Sequence, residues 1–271
     1  MRIALITGAS SGLGREYARW ASDHGDYDQI WAVARRRERL EKLASELSTP
    51  VRLVPLDLTE KSSITQLKGL LDEAAAQDTA RGEKFSVGLL VNAAGLGKFG
   101  TYADMTCEEV DTMVDLNCRA LVDVTQVALA HMERGGRIIR QGNRNIQIAS
   151  SASFQPLPGL NVYAASKAFV RSYTRALRFE LRGRGISVTA VCPLWVKTEF
   201  IDVARQTANG QTVRHPFPVL GARRVVRWSM LVNAVNYPIA TCCVTGFLMR
   251  VADKIIPAPV IMWIWEGVRR I

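Results

Sequence analysis

With 271 residues, 48% of them hydrophobic and 22% charged, the chain can bury the core of one large α/β domain or of two small ones. Thirty-five Lys and Arg against 25 Asp and Glu give a net charge of +10, which suits an anionic cofactor or an acidic surface; with no zinc-finger spacing, aromatic RNA-binding signature or long basic tail, nucleic acid is not an expected partner. Cys107, Cys118, Cys192, Cys242 and Cys243 form no Cys-x-x-Cys pair, and Met1-Arg2 leads straight into an apolar run without a secretory signal, so reduced thiols in a cytoplasm are expected; His24, His131 and His215 are scattered, and no metal site is expected.

Ile3 to Ile6 is expected to be a buried strand that leads directly into Thr7-Gly8-Ala9-Ser10-Ser11-Gly12-Leu13-Gly14. A helix from about Gly12 to Asp23 follows, turning Leu13, Tyr17 and Trp20 toward the sheet. Gly8 permits a tight strand-to-helix turn, while Gly12 and Gly14 let a pyrophosphate and the sheet approach the helix N-terminus. The spacing Gly-x-x-x-Gly-x-Gly differs from the Gly-x-Gly-x-x-Gly of other dinucleotide folds and lacks a P-loop ending. A plain strand-to-helix turn is the competing reading of this loop taken alone.

Ile30 to Ala34 is the second strand. An acid at its end would hydrogen-bond a ribose 2′-hydroxyl and repel a 2′-phosphate. That place is Ala34, followed by Arg35-Arg36-Arg37. Arginine grips phosphate through paired hydrogen bonds, so NADP(H) is expected in preference to NAD(H). Arg35 is the expected phosphate reader, with Arg36 and Arg37 solvating the start of the helix Glu38 to Leu47.

Val51 to Leu56 is the third strand, closed by Asp57-Leu58, where Asp57 is placed to meet an adenine amino group. Thr59 is expected to cap a helix from Glu60 to Ala76, and polar Gln77 to Lys84 reads as a surface connection. Val87 to Val91 is a fully apolar fourth strand ending in Asn92-Ala93-Ala94-Gly95, small enough for close backbone approach to a cofactor ribose. Val110, Met113, Val114, Asn117, Leu121, Val124 and Val127 mark a long helix to about Met132. Asn117 stands mid-helix, where asparagine is disfavoured unless useful.

Two segments between Arg134 and Ala149 compete for the fifth strand. Asn145 to Ala149 is expected, because it leads into Ser150, which makes Arg140-Gln141-Gly142-Asn143-Arg144 an exposed basic excursion. A helix from Asn161 to about Gly183 and a sixth strand from Ile186 to Cys192, stopped by Pro193, complete the alternation. Strands and helices at this pitch argue a single doubly wound, mainly parallel sheet flanked by helices.

Tyr163 and Lys167 are four residues apart, hence on one helix face. A phenol with a pKa near ~10 is a poor acid–base group at neutral pH. An ammonium one turn away favours the phenolate and is expected to pull that value down. Ser150, thirteen residues earlier, could place a hydroxyl beside the same spot. The trio reads as carbonyl/alcohol chemistry, given a hydride carrier.

The last seventy residues differ in kind. Trp228 to Met249 holds no charged residue, and Ile255 to Trp265 is an apolar run between basic neighbours. A membrane span needs about twenty apolar residues; Asn233, Asn236, Pro238 and Gly246 break the first run and the second is too short. A helix, a last strand near Ile239 to Cys243 and an apolar C-terminal helix are expected. Ile255, Ile256, Val260, Ile261, Ile264 and Val268 fall near helical spacing, so this segment is expected to cover a substrate cleft or a subunit contact, with membrane contact as the competing reading. Residues 1–200 are then the cofactor and catalytic core, and 201–271 the substrate lid.

From Arg2 to about Phe200 these motifs, in this order, resemble the short-chain dehydrogenase/reductase family. The resemblance implies a Rossmann-type fold with Tyr163 as acid/base. It makes Lys167 both the tuner of that phenol and a ligand of the nicotinamide ribose. Ser150 orients the carbonyl, and Asn117 holds a water linking Lys167 to solvent. It further implies cofactor contacts from Gly8, Ser10, Ser11, Gly12, Leu13, Gly14, Asp57, Leu58, Asn92, Ala93, Ala94 and Gly95. Pro193, Val196 and Thr198 would face the carboxamide side of the nicotinamide. Ala93 replaces a second asparagine common in the fourth-strand motif, and Leu194 stands where a glycine usually follows the proline. The family also implies a homodimer or homotetramer built through the helices at Val110 and Val162. The expected function is an NADP(H)-dependent oxidoreductase interconverting a ketone and a secondary alcohol of a hydrophobic molecule, such as a steroid or long acyl chain. A non-catalytic dinucleotide-binding regulator and a membrane-associated lipid reductase are the alternatives.

Overall fold

The computed structural model describes residues 1–132, 143–206 and 219–270. Among these residues seven strands form one sheet: β1 (Arg2–Thr7), β2 (Gln29–Val33), β3 (Val51–Val54), β4 (Ser86–Asn92), β5 (Arg144–Ile148), β6 (Ser187–Val191) and β7 (Ile239–Ala240). Their order is β3-β2-β1-β4-β5-β6-β7, and every neighbouring pair runs parallel. Parallel neighbours need crossovers, and the helices that supply them cover both faces of the sheet.

Strand periodicity sorts the core into two layers. Ala4 and Ile6 of β1 pack with Tyr17 and Ala18 of α1 (Gly12–His24), Leu40 and Leu43 of α2 (Arg37–Glu46), and Val225 and Met230 of α8 (Ala222–Ala234). Ile3 and Leu5 face the other way. They meet Leu67 and Leu71 of α3 (Lys61–Ala80), Val124 of α5 (Ala120–Leu129) and Leu177 of α6 (Asn161–Glu180). The chain therefore folds as one doubly wound α/β unit, as its alternation predicts.

The crossover direction reverses between β1 and β4, whose ends pair at Thr7 and Asn92. In open parallel sheets the crevice beyond the carboxyl ends of the strands at such a reversal is where ligands bind. Thr7 stitches the reversal together, its Oγ1 accepting hydrogen bonds from the backbone N–H of Ala93 and Ala94, each at 3.1 Å.

Several expectations change. α3 runs on to Ala80, so the start of the expected surface connection is helical. Asp78 within it is buried beside the Met1 amino group at 2.7 Å. Thr59 does not cap α3: its N–H and hydroxyl both go to Asp57 Oδ1, at 3.0 and 2.7 Å, a local turn that wins because the carboxylate is two residues away. Arg144 is not part of an exposed excursion. It opens β5, half-buried, donating to Met230 O at 3.4 Å, and burial pushes its pKa down. Arg140, Gln141 and Gly142 lie outside the described residues. The apolar C-terminal run is two helices, α9 (Val244–Ile255) and α10 (Ala258–Arg270), because Pro257 interrupts it.

The long central helix is interrupted as well. α4 (Cys107–Val114) passes into a π turn at Asp115–Arg119 before α5, with Ala120 N–H bonding Asp115 O. Such turns cost regular hydrogen bonds and collect at functional positions. Asn117 sits at its centre.

Candidate active site

A cavity of about 350 Å³ opens beyond the carboxyl ends of β1, β4, β5 and β6. Of the residues expected from sequence, Gly8, Ser10, Ser11, Gly12, Leu13, Arg35, Asp57, Leu58, Ala93, Ala94 and Gly95 line it. So do Ser150, Tyr163, Lys167, Pro193, Val196 and Thr198. Gly14, Asn92 and Asn117 do not, and each has a different task.

Gly14 holds α1 against the loop that precedes it: a Cβ there would fall 2.3 Å from Gly8 O. Gly8 itself has φ +68°, and a Cβ on it would meet Ala94 N at 2.7 Å. Loop and fourth strand can approach this closely only without side chains. Asn92 turns away from the cavity, donating to Thr125 Oγ1 at 2.8 Å, and so fixes β4 to α5. Asn117 is fully buried. Its Oδ1 accepts from Leu96 N at 2.9 Å, and its Nδ2 donates to Leu96 O at 2.8 Å and Ser166 Oγ at 3.0 Å. It thereby anchors the segment after β4 to α6, next to the cavity wall.

At the centre of the cavity Tyr163 and Lys167 come from consecutive turns of α6, and Ser150 from the end of β5. The Ser150 hydroxyl accepts from Ala152 N at 3.2 Å and faces the same cavity as the phenol. Lys167 Nζ donates to Ile148 O at 2.9 Å and stands 5.8 Å from the Tyr163 ring centroid. Burial pulls this ammonium down to about 8. Burial pushes the phenol up to about 12, with the nearby Ser150 opposing it. The expectation that Lys167 draws the phenol below its ordinary value is therefore not met. Its cation is engaged by a backbone carbonyl, and desolvation of the phenol is the larger effect. Tyr163 is a protonated donor at neutral pH.

The adenosine end of the cavity is polar. Asp57 is held low: burial opposes ionisation, but the two Thr59 hydrogen bonds and the nearby Arg35 outweigh it. Arg35, the expected phosphate reader, reaches only 3.5 Å from Asp57 Oδ2 and is 71% exposed. Its neighbour Arg36 is better placed. Arg36 donates to Ser10 Oγ at 3.3 Å, to Ser11 Oγ at 3.2 Å and to Glu199 Oε2 at 3.2 Å, and it also lines the cavity. The reading of Arg36 as a solvating residue is corrected. Nothing in the triplet Arg35-Arg36-Arg37 announces this contact, because the serines that hold Arg36 lie in the glycine loop across the cleft.

The remaining wall is apolar and was mostly invisible to sequence. Phe99 and Trp195 come from loops and Phe200 from the short helix α7 (Glu199–Ala204); Phe99 and Trp195 meet edge to face at 5.6 Å, and Phe200 lies 5.5 Å from the Tyr163 ring. Leu194, the departure after Pro193, is buried in this wall with Met249 of α9. Trp265 of α10 closes the far side, buried, with its indole N–H on Pro158 O at 2.8 Å. The helices α9 and α10 thus reach the cleft through Met249 and Trp265.

The donor set fits a dinucleotide. The α1 N-terminus has neither a side-chain cap nor an acid in its first turn, leaving its N–H groups turned to the glycine loop, and a guanidinium stands on the loop's serines. Comparison with known proteins agrees. Residues 2–209 match the family described as short chain dehydrogenase. The chain is 38% identical to sulfoacetaldehyde reductase 2 of Chromohalobacter salexigens, over 73% of this chain and 74% of that protein. A short-chain dehydrogenase from Sphingobium yanoikuyae, solved in complex with NADPH, superposes with a TM-score of 0.73 at 26% identity, covering 95% of this chain and 97% of the other. The bulky-bulky ketone specific alcohol dehydrogenase from Comamonas testosteroni gives 0.68 at 26% identity over 89% and 86%. With the glycine loop, the Tyr163–Lys167 turn and Ser150 gathered at one cavity, this chain belongs to the short-chain dehydrogenase/reductase family of oxidoreductases.

Proposed function

We propose that this chain is an NADP(H)-dependent oxidoreductase that interconverts a bulky, hydrophobic ketone and its secondary alcohol. One observation carries the reading: the Tyr163 phenol and Ser150 face the same cavity as the glycine loop at one end and Trp195, Phe200, Met249 and Trp265 at the other. The nicotinamide, when bound, supplies or accepts the hydride. Arg36, Ser10 and Ser11 would hold the 2′-phosphate; the α1 N-terminus, the pyrophosphate; Asp57, the adenine. In the reducing direction Tyr163 gives its proton to the carbonyl oxygen that Ser150 orients, and in the other direction it takes the alcohol proton. Lys167 keeps a positive charge beside the phenol while the proton is away. A Cβ on Gly95 would lie 3.1 Å from Asn117 Oδ1 and 3.3 Å from Lys167 Nζ, a proximity that supports proton exchange with solvent along this edge.

The segment 201–271 contributes the substrate side, and the exclusion of water by its tryptophan favours steroid-like or long acyl ketones over small ones. The helices α4 to α6 form the subunit contact of a homodimer or homotetramer, where α6 leaves Phe169 and Phe179 exposed. All five cysteines are free, which suits a reducing cytoplasm.

The test is consumption of NADPH or NADH with a panel running from acetone to aryl and steroidal ketones. NADPH should support turnover, with kcat/KM rising with ketone bulk. No turnover with any ketone, alongside intact NADPH binding, would favour the non-catalytic regulator.

A further inference from the structure

The two C-terminal helices do something unusual with their apolar residues. In α9 the apolar side chains Val244, Phe247, Leu248, Val251 and Ile255 recur at helical spacing as one stripe, and all five are exposed, Val244 and Ile255 by 75% each. The opposite side of α9 is the one turned inward, with Gly246 buried and Met249 lining the cavity. α10 is apolar on two sides. Ile261 and Trp265 are buried, while Val260, Trp263 and Ile264 form an outward stripe in which Trp263 is 79% exposed. Arg250 of α9 stands 5.8 Å from the Tyr237 ring. Apolar stripes this exposed are not left to water without a partner.

Charge selects among partners. No acidic residue lies in either outward stripe, and Asp253 sits on the inward side of α9, half-buried. Arg250 and Lys254 flank the α9 stripe one turn apart, and the acid of α10, Glu266, is half-buried. The chain as a whole carries +10. A second copy meeting this face about a two-fold axis would set cation against cation. A sheet of anionic headgroups over hydrocarbon matches both components, with Trp263 suited to the boundary between them. No described helix is long and apolar enough to cross a membrane. We propose that the outward faces of α9 and α10 dock this protein peripherally on an anionic lipid surface. The inference stands on these stripes alone and is independent of which ketone occupies the cleft.

The experiment is sedimentation of the full-length protein with vesicles of phosphatidylcholine, with or without phosphatidylglycerol. The protein should pellet with the phosphatidylglycerol vesicles and be released by high salt. Phe247→Ser and Trp263→Ser should each weaken partitioning by roughly tenfold, and Lys254→Glu by roughly fivefold. Far-UV circular dichroism should be unchanged in all three, because the substituted side chains are exposed. Protein that stays in solution with phosphatidylglycerol vesicles overturns the proposal, as does equal binding to both vesicle types. So does dissociation of an oligomer by the two serine variants without loss of lipid binding, since the face would then belong to a second copy.

Discussion

Replacing Arg36 by alanine is the sharpest test of cofactor choice. Its guanidinium spans the cleft from the start of α2 to Ser10 and Ser11, so a phosphate on the ribose 2′-oxygen would meet a cation already aimed by two hydroxyls. Charge-assisted hydrogen bonds are worth about 1.5–3 kcal/mol. The Arg36 side chain is 43% exposed, and solvent screening puts it at the lower end, about 1.5 kcal/mol. Arg36→Ala should then raise the KM for NADPH roughly tenfold and leave that for NADH nearly unchanged. Glu199 keeps its other partner, Arg39, so the mouth of the cleft should not collapse in the variant. Arg35→Ala, at a side chain held only by a 3.5 Å contact to Asp57, should cost less. Initial rates with each cofactor at a saturating ketone concentration measure both. Equal losses for NADPH and NADH, or a larger effect at Arg35 than at Arg36, would refute the assignment.

Tyr163→Phe should lower kcat by about 10²–10⁴-fold with NADPH affinity kept, checked by turnover beside cofactor titration. Lys167 links stability to pH: with its folded pKa near 8 and its ordinary value 10.5, the unfolded chain holds the proton between these limits and the native one does not. Stability should therefore rise with pH from about 8 to 10.5, and Lys167→Met should flatten that rise in urea midpoints. Trp265→Ala removes one aromatic wall and its bond to Pro158, so KM for an aryl ketone should climb roughly tenfold while acetone kinetics barely change. A proportional change for both ketones would take Trp265 out of substrate selection.

Much of the site was legible because its chemistry is local in sequence. Tyr163 and Lys167 share a helix face by spacing alone, and the glycine loop follows its strand without interruption, so both needed only helix and strand periods to be placed. Asn117 was singled out because a mid-helix asparagine is costly, but its partners, Leu96 and Ser166, lie 21 and 49 residues away. Its anchoring role and the π turn around it were therefore hidden.

By itself the sequence determined the doubly wound sheet, and it marked out the strand ends and the residues Ser150, Tyr163 and Lys167 that the cavity gathers, since each follows from short-range pattern. Tertiary structure decided the rest. The placement of Arg36 depends on two serines across a cleft, and the raised pKa of Tyr163 on burial that no neighbouring residue in the chain announces. The apolar tail could be read only as a stretch that must hide somewhere. Folding splits it at Pro257 and divides its side chains, Trp265 into the cavity and Trp263 out to solvent, because which face of a helix is covered depends on what the rest of the chain packs against it.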